Sequence, residues 1–240
     1  MSYFLAALVV GFVILFHELG HFIAAKRVGV PIAIFSIGFG PRLTAWKWGE
    51  TEYRLSLIPL GGYVLPAVAD EKEFFQLSVK KRILMTVGGP LASFILPIIC
   101  FSIIYSSQPG LSFIELLYLP LLQSTTIIYE IIIFLPTVFS QSDQLSGIVG
   151  IITQGGSIIG NNLMNTLQFM ALISLNLTVL NLLPLPVLDG GKILLYLLEK
   201  IHPASLRLHL PLAVCGWVLI LGLMLYVTVG DLRNLLLSAV

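Results

Sequence analysis

Charge is what this sequence has least of. Only 10% of its 240 residues are Asp, Glu, Lys or Arg, against roughly a quarter in an ordinary soluble domain. With 57% hydrophobic residues and a mean hydropathy of +0.98, the chain cannot present a fully water-compatible surface. A soluble globular fold is thereby excluded, and the lipid bilayer becomes the expected surroundings. The net charge of +1 offers no basic face to neutralise phosphates, so nucleic acid is excluded as a partner. Cysteine is nearly missing: Cys100 and Cys215 both fall inside apolar runs and read as buried thiols, not as a disulfide or a metal pair. Also lacking are an internal repeat, a low-complexity tract and room for a separate soluble domain. One membrane domain over residues 1–240 is therefore expected, and nothing in the sequence marks an oligomeric state.

A second absence sets the topology. Nine of the 13 Lys and Arg residues lie between positions 26 and 82, and none lies between 83 and 191. Spanning helices need roughly 20 mostly apolar residues. Residues 3–25, 83–105, 163–183 and 210–229 meet that requirement. The first run has no basic flank before it and no small-residue cleavage site, and it carries His and Glu, so it reads as a retained helix and not a signal peptide. By the positive-inside rule the first and last connections face the cytoplasm, giving four spans with both termini extracytoplasmic. Residues 111–136 are apolar but interrupted by Glu115, Pro120, Gln123, Glu130 and Pro136. A single crossing there would reverse every later loop, so this segment is expected to lie at the outer interface or to insert only partly. Residues 141–162, rich in Gly, Ser, Asn and Gln, read as a loop. The charged stretch 70–82 reads as a solvated link ending in a basic anchor.

Between the first two spans the pattern changes from helical to alternating. In residues 51–58, Glu52, Arg54 and Ser56 face one way while Tyr53, Leu55 and Leu57 face the other, which is strand periodicity. Residues 42–48 behave alike, Trp48-Gly49-Glu50 supplies a turn, and residues 32–38 suggest a third strand. The fold class is thus an all-α membrane protein of four transmembrane helices with a small re-entrant or cytoplasmic β-sheet in residues 30–65. Irregular backbone near membrane depth is tolerated only where it is buried or lines a wet cavity, so the sheet is expected beside a site.

The chemistry concentrates in the first span. His17-Glu18-Leu19-Gly20-His21 has the H-E-x-x-H spacing, which puts two imidazoles on one helix face with a carboxylate beside them. Two neutral imidazoles suit zinc, and a hydrolytic zinc site takes a third protein ligand and keeps one position for water. Glu18 is then the candidate base for that water. Two His and a Glu within an apolar span are costly unless they line a cavity or bind something. A third ligand must come from another span at similar depth. Asp189 follows the third span in a segment broken by Pro184 and Pro186, and the four-span topology returns it to the side where His17 and His21 lie. The alternative for Asp189 is an N-cap for the helix after it. Asn181 is a candidate to hold a substrate carbonyl or oxyanion, with interhelical hydrogen bonding as the alternative for both Asn181 and Asn176. His202 and His209 read as solvated loop residues.

These residues carry a family likeness. The H-E-L-G-H run at 17–21 and the Asn181-x-x-Pro-x-Pro-x-Leu-Asp-Gly segment resemble the site-2 proteases, in particular the bacterial regulator-of-sigma-E protease branch. Residues 35–40 (FSIGFG), 58–64 (IPLGGYV) and 88–90 (GGP) are similar as well. The resemblance implies one Zn²⁺ per chain on His17, His21 and Asp189, with Glu18 as catalytic base. It also implies a re-entrant substrate-binding element at Gly38, Phe39 and Gly40. The expected function is hydrolysis of peptide bonds in or near transmembrane segments, in regulated intramembrane proteolysis or clearance of membrane remnants. Transmembrane proteins would be the substrates, and the bacterial inner (cell) membrane the location. Two departures stand out. The residues between the second and third spans are too few for the PDZ domain that branch usually carries there. Ser93 stands where Asn is usual, a difference expected to touch packing more than chemistry. The rival reading is a non-catalytic membrane metal-binding or transport protein. A transporter would be expected to show repeated halves and a continuous polar path, and neither is visible.

Overall fold

A computed structural model describes residues 1–68, 71–140, 147–160 and 162–238. The first helix, α1 (Ser2–Arg27), is followed by strands β1 (Ile32–Trp48) and β2 (Thr51–Pro66). Next come a short α2 (Glu71–Gln76) and the long α3 (Val79–Ser106), α4 (Phe113–Ser140), α5 (Ile148–Ile159) and α6 (Leu163–Leu182). The chain ends with α7 (Asp189–Ile201), a 3₁₀ segment (Pro203–Leu208) and α8 (His209–Ser238). Among the described residues, five helical stretches, one more than expected, are long and apolar enough to cross a membrane: Ser2–Arg27, Val79–Ser106, Phe113–Thr137, Leu163–Leu182 and Pro203–Asp231.

The extra one is α4. The expected interfacial segment is one continuous helix that carries Pro120 and Pro136 within it, so its length and composition allow a crossing. Its attachment is oblique in register. Tyr105, at the end of α3, hydrogen-bonds to Gln123 and not to a residue near the start of α4. About ten residues of α4, ~15 Å at 1.5 Å per residue, therefore precede the level of that contact.

The expected loop at 141–162 is corrected in part. Ile148–Ile159 is a helix, because Ile148, Ile151, Ile152 and Ile159 recur at helical spacing within the Gly- and Ser-rich composition. Residues 141–146 and 161 lie outside the described residues.

Helices α1 and α3 form the centre of the fold. They cross at Gly20 and Gly88, where a Cβ on either would stand 2.2 or 2.4 Å from the other's carbonyl oxygen. Only glycine at both positions allows that approach, the small-residue solution common in bilayers, where dispersion and not hydrophobic exclusion draws helices together. Helix α6 packs against α3 with Ser174 Oγ donating to the Ser93 carbonyl at 2.7 Å. Val9, Val13, Leu96, Phe101, Phe169 and Leu175 fill the apolar core between these three helices.

The expected strands are present, but residues 32–48 form one strand where two were expected. β1 pairs with β2 as a two-stranded antiparallel sheet. Gly38 and Gly40, at φ +86 and +84, let β1 bend. The bend brings Ile34 to Ile37 opposite two stretches of β2, Glu52 to Leu55 and Leu65 to Gly62. Thr51 Oγ1 donates to the Ile32 carbonyl at 2.8 Å, and buried Ser36 meets Ser56 at 3.2 Å, so the polar groups inside the fold of the sheet are satisfied. At the distal end Arg54 donates to Glu52 at 2.7 Å, which holds the Glu52 carboxyl below the usual carboxylate range.

Candidate metal centre

The first-span motif and the Pro-broken segment meet in one place. His17 Nε2 and His21 Nε2 lie 3.2 Å apart, and Asp189 Oδ2 lies 3.2 Å from each. All three residues are shielded from solvent, with side chains 6%, 11% and 6% exposed. This is an equilateral triangle of ligand atoms. A tetrahedral zinc with ligands at 2.0–2.1 Å has ligand–ligand edges of about 3.3 Å, so three of its four positions are matched.

The protonation pattern reinforces the fit. His21 Nδ1 lies 3.0 Å from the Met85 carbonyl, which can only accept, so that nitrogen carries the proton and Nε2 is a bare lone pair. The Gly89 amide stands 3.3 Å from the same Nδ1, and this longer contact yields to the carbonyl bond. His17 Nδ1 is paired at 2.8 Å with Ser93 Oγ, a hydroxyl that can accept from it and so is compatible with a bare Nε2 on His17 as well. Asp189 Oδ2 is buried with no hydrogen-bond partner. Three acceptors facing one another in a dry site repel unless a cation lies among them. The donor set of two imidazoles and a carboxylate is one that zinc takes in hydrolytic sites.

Each ligand is positioned by local sequence. Gly89 is where α3 passes the imidazoles; a Cβ there would stand 2.3 Å from His21 Nε2 and 2.7 Å from His17 Nε2. Asp189 is the first residue of α7, and Leu188 is the N-cap, so the capping role considered for Asp189 is overturned. The two glycines after it are needed because the broken segment folds back on them. The Leu182 carbonyl lies 2.2 Å from where a Gly190 Cβ would be, and the Leu185 carbonyl 2.0 Å from that of Gly191. Lys192, one turn on, approaches the other Asp189 oxygen, Oδ1, at 3.4 Å.

The triangle opens onto a cavity of about 950 Å³ lined by Glu18, Asn181, Lys192 and Tyr196 among apolar side chains. Glu18 therefore stands in the same space as the three side chains, and Asn181 is among the residues lining that cavity. Asn176 turns away, its amide donating to the Leu172 carbonyl at 2.9 Å. The sheet reaches the cavity through Val64, Leu65 and Pro66 at the end of β2. Gly38, Phe39 and Gly40 are not among the lining residues; the Phe39 ring stacks on Tyr63 at 6.2 Å and is 42% exposed. Burial pushes the Tyr196 phenol up to about 12, so it stays protonated in the cavity wall.

Three readings are corrected here. Ser93 is not merely a packing residue, because it is fully buried and holds the His17 ring. His209 is not solvated: it is 7% exposed, stacked on Tyr196 at 5.6 Å. Arg82, expected as a basic anchor in solvent, is 1% exposed. The signal available in the sequence for Ser93 was its spacing of four from Gly89, one helical turn along the face that meets the histidines.

Ser93→Ala is expected to weaken zinc binding about tenfold, since loss of a ligand's outer hydrogen bond costs 10–100-fold in affinity. Competition with a chromophoric chelator reads this directly, and parental affinity would show that packing alone orients His17.

The fold and site define a membrane-embedded metal centre of hydrolytic type. The chain belongs to peptidase family M50, whose model matches residues 5–223. A Campylobacter jejuni protein named "putative zinc metalloprotease" is 27% identical over 98% of this chain and 94% of its own length. A Clostridium acetobutylicum protein of similar name is 26% identical over 96% and 98%. A Chlamydia trachomatis relative, also so named, is 44% identical over 43% of this chain, a match spanning 19% of that protein. The Campylobacter alignment runs to 347 positions, more than the 240 residues of this chain, so the relative carries additional residues. No PDZ module is present among the described residues here, where the stretch between α3 and α6 holds two apolar helices.

Proposed function

We propose that this multi-pass membrane metalloprotease is of the site-2 type and cleaves transmembrane proteins within or near their spans. The observation that carries the reading is the triangle of His17, His21 and Asp189 atoms, 3.2 Å on each edge, set in apolar helices with Glu18 in the adjoining cavity. His17, His21 and Asp189 would hold one zinc ion per chain, the metal named in the relatives' descriptions. Bound there, zinc supplies Lewis acidity toward water and the scissile carbonyl at neutral pH. Glu18 takes a proton from the attacking water and returns it to the leaving amine. Asn181, also lining the cavity, offers an amide to the substrate carbonyl. Because Glu18 and all three ligands are intact, a purely metal-binding or transport role has no observation in its favour.

A substrate helix must unwind before a peptide bond reaches the site. The end of β2 at Val64 to Pro66 offers backbone to an extended segment by strand addition, replacing hydrogen bonds the helix loses. This is a neighbouring stretch of the sheet to the one expected at Gly38 to Gly40.

The packing supports both termini lying on the outer, extracytoplasmic side of a bacterial inner membrane. Gly156 of α5 backs onto the ring of Tyr3 at the start of α1, and Asp231, late in α8, accepts from the Gly147 and Gly150 amides at 2.9 Å. The start of α1, the end of α8 and α5 thus share one side, while Lys26, Arg27, Lys80 and Lys81 share the other. If α4 crossed fully, the seven steps from Ser140 to Gly147 would have to recross the bilayer. Their full extension is about 25 Å, short of a roughly 30 Å hydrocarbon core. This favours α4 as a partial insertion and four complete spans.

Reconstituted protein offered a single-span model substrate is expected to cut it inside the span or within about two turns of its cytoplasmic end, as mapped by mass spectrometry of both fragments. Cuts confined to soluble segments would overturn the intramembrane reading while leaving a membrane metalloprotease.

A further inference from the structure

A second polar cluster lies buried beside the metal centre and takes no part in the chemistry proposed above. Arg82 of α3 makes a two-pronged ion pair with Glu199 of α7, Nη1 to Oε2 at 2.7 Å and Nη2 to Oε1 at 2.6 Å. Its Nε donates to the Leu77 carbonyl at 3.1 Å. The rings of Phe75 and Tyr196 lie 4.9 and 4.8 Å from the guanidinium carbon. His209, at the start of α8, approaches Glu199 Oε2 at 3.7 Å. Four helices, α2, α3, α7 and α8, thus converge on one ion pair.

Burying such a pair is energetically poor: desolvation offsets most of the attraction, and apolar replacements of the same volume are often as stable or more so. Its use must then lie in what it specifies. The fork of Arg and the two oxygens of Glu fit in one register only, unlike an apolar contact, which tolerates a slide of an ångström or more. The two helices it joins are the ones whose relative position builds the metal centre. Helix α3 brings the Met85 carbonyl, Gly89 and Ser93 to the histidines, and α7 brings Asp189. Asp189 and Glu199 lie ten residues apart on α7, about 15 Å along the axis, so a slide or tilt at one end moves the other. The Tyr196 hydroxyl meets Thr86 between the two points and extends the same seam.

We propose that Arg82 and Glu199 are positioning residues that set the register of α7 on α3 and hold Asp189 at the third ligand position. This rests on His17, His21 and Asp189 being the zinc ligands, so the experiment measures zinc first. Parent protein and Asp189→Ala in detergent establish whether stoichiometric zinc depends on the triad. If Asp189→Ala bound zinc as the parent does, the ligand reading would fail, and this inference with it.

The test proper is the double variant Arg82→Met/Glu199→Met, which removes both charges and keeps the volume. It is expected to unfold within a few degrees of the parent, yet to bind zinc at least tenfold more weakly by chelator competition. Its kcat should be at least tenfold lower with KM within about twofold. A folded double variant with parental zinc affinity would overturn the proposal. Arg82→Lys, which keeps the charge but not the fork, covers the case in which the double variant does not fold. It is expected to weaken zinc several-fold, and parental affinity there would likewise overturn the proposal.

Discussion

Glu18→Gln is expected to leave zinc stoichiometrically bound and to lower peptide cleavage by about 10³-fold or more. The amide is nearly isosteric and Glu18 is not one of the three ligand atoms, so the triangle of His17, His21 and Asp189 persists. What disappears is a group able to accept a proton from water and donate it to the departing nitrogen, a role that contributes 10²–10⁴-fold in enzymes generally. Metal content and turnover must be measured on the same preparation. A variant that kept both zinc and parental turnover would remove Glu18 from the mechanism. One that lost zinc would show that the residue holds the site together instead.

The second large effect needs only one methyl group. Gly89→Ala is expected to reduce zinc affinity by at least 100-fold and bring cleavage below detection, while the protein still inserts and unfolds cooperatively. The added carbon would sit 2.3 Å from His21 Nε2 and 2.7 Å from His17 Nε2, well inside contact distance of both ligating atoms. Neither ring can stay where it is. The backbone around Gly89 has no freedom to retreat, because Gly88 beside it touches Gly20 of α1 at close range. Zinc titration of the variant alongside Ser93→Ala grades the two causes. Loss of a ring's hydrogen-bond partner should cost about tenfold, and eviction of both rings far more.

Much of the centre was legible in the sequence because the chemistry is rare in its setting. His, Glu and His four apart in an apolar helix have few uses, and Asp189 after a Pro-broken span was the candidate third ligand. Helices α1, α3, α6 and α8 followed from length and hydropathy alone. What escaped notice depended on packing. Arg82 reads as a surface cation by type, and only the fold reveals that Glu199, 117 residues away, removes the need for water. The isoleucine stripe of α5 was hidden by Gly and Ser, whose presence reflects close approach, at Gly155 to Phe169 and at Gly156 to Tyr3. β1 continues through Gly38 and Gly40 because two left-handed glycines bend a strand without ending it, which no count of alternation can distinguish from a break. α4 remained ambiguous since hydropathy measures only whether a helix tolerates lipid, not how far it enters.

The side chains of the candidate metal centre lie far apart in the sequence, His17 and His21 in α1 and Asp189 more than 160 residues later. During synthesis the first helix therefore enters the membrane carrying two imidazoles and the proposed base, Glu18, but an incomplete metal site. At 5–20 residues per second, on the order of ten seconds or more pass before α7 emerges and can dock. A nascent chain that has not yet reached Asp189 therefore lacks the third side chain of the candidate metal centre, and the centre can assemble only after α7 has been made and packed.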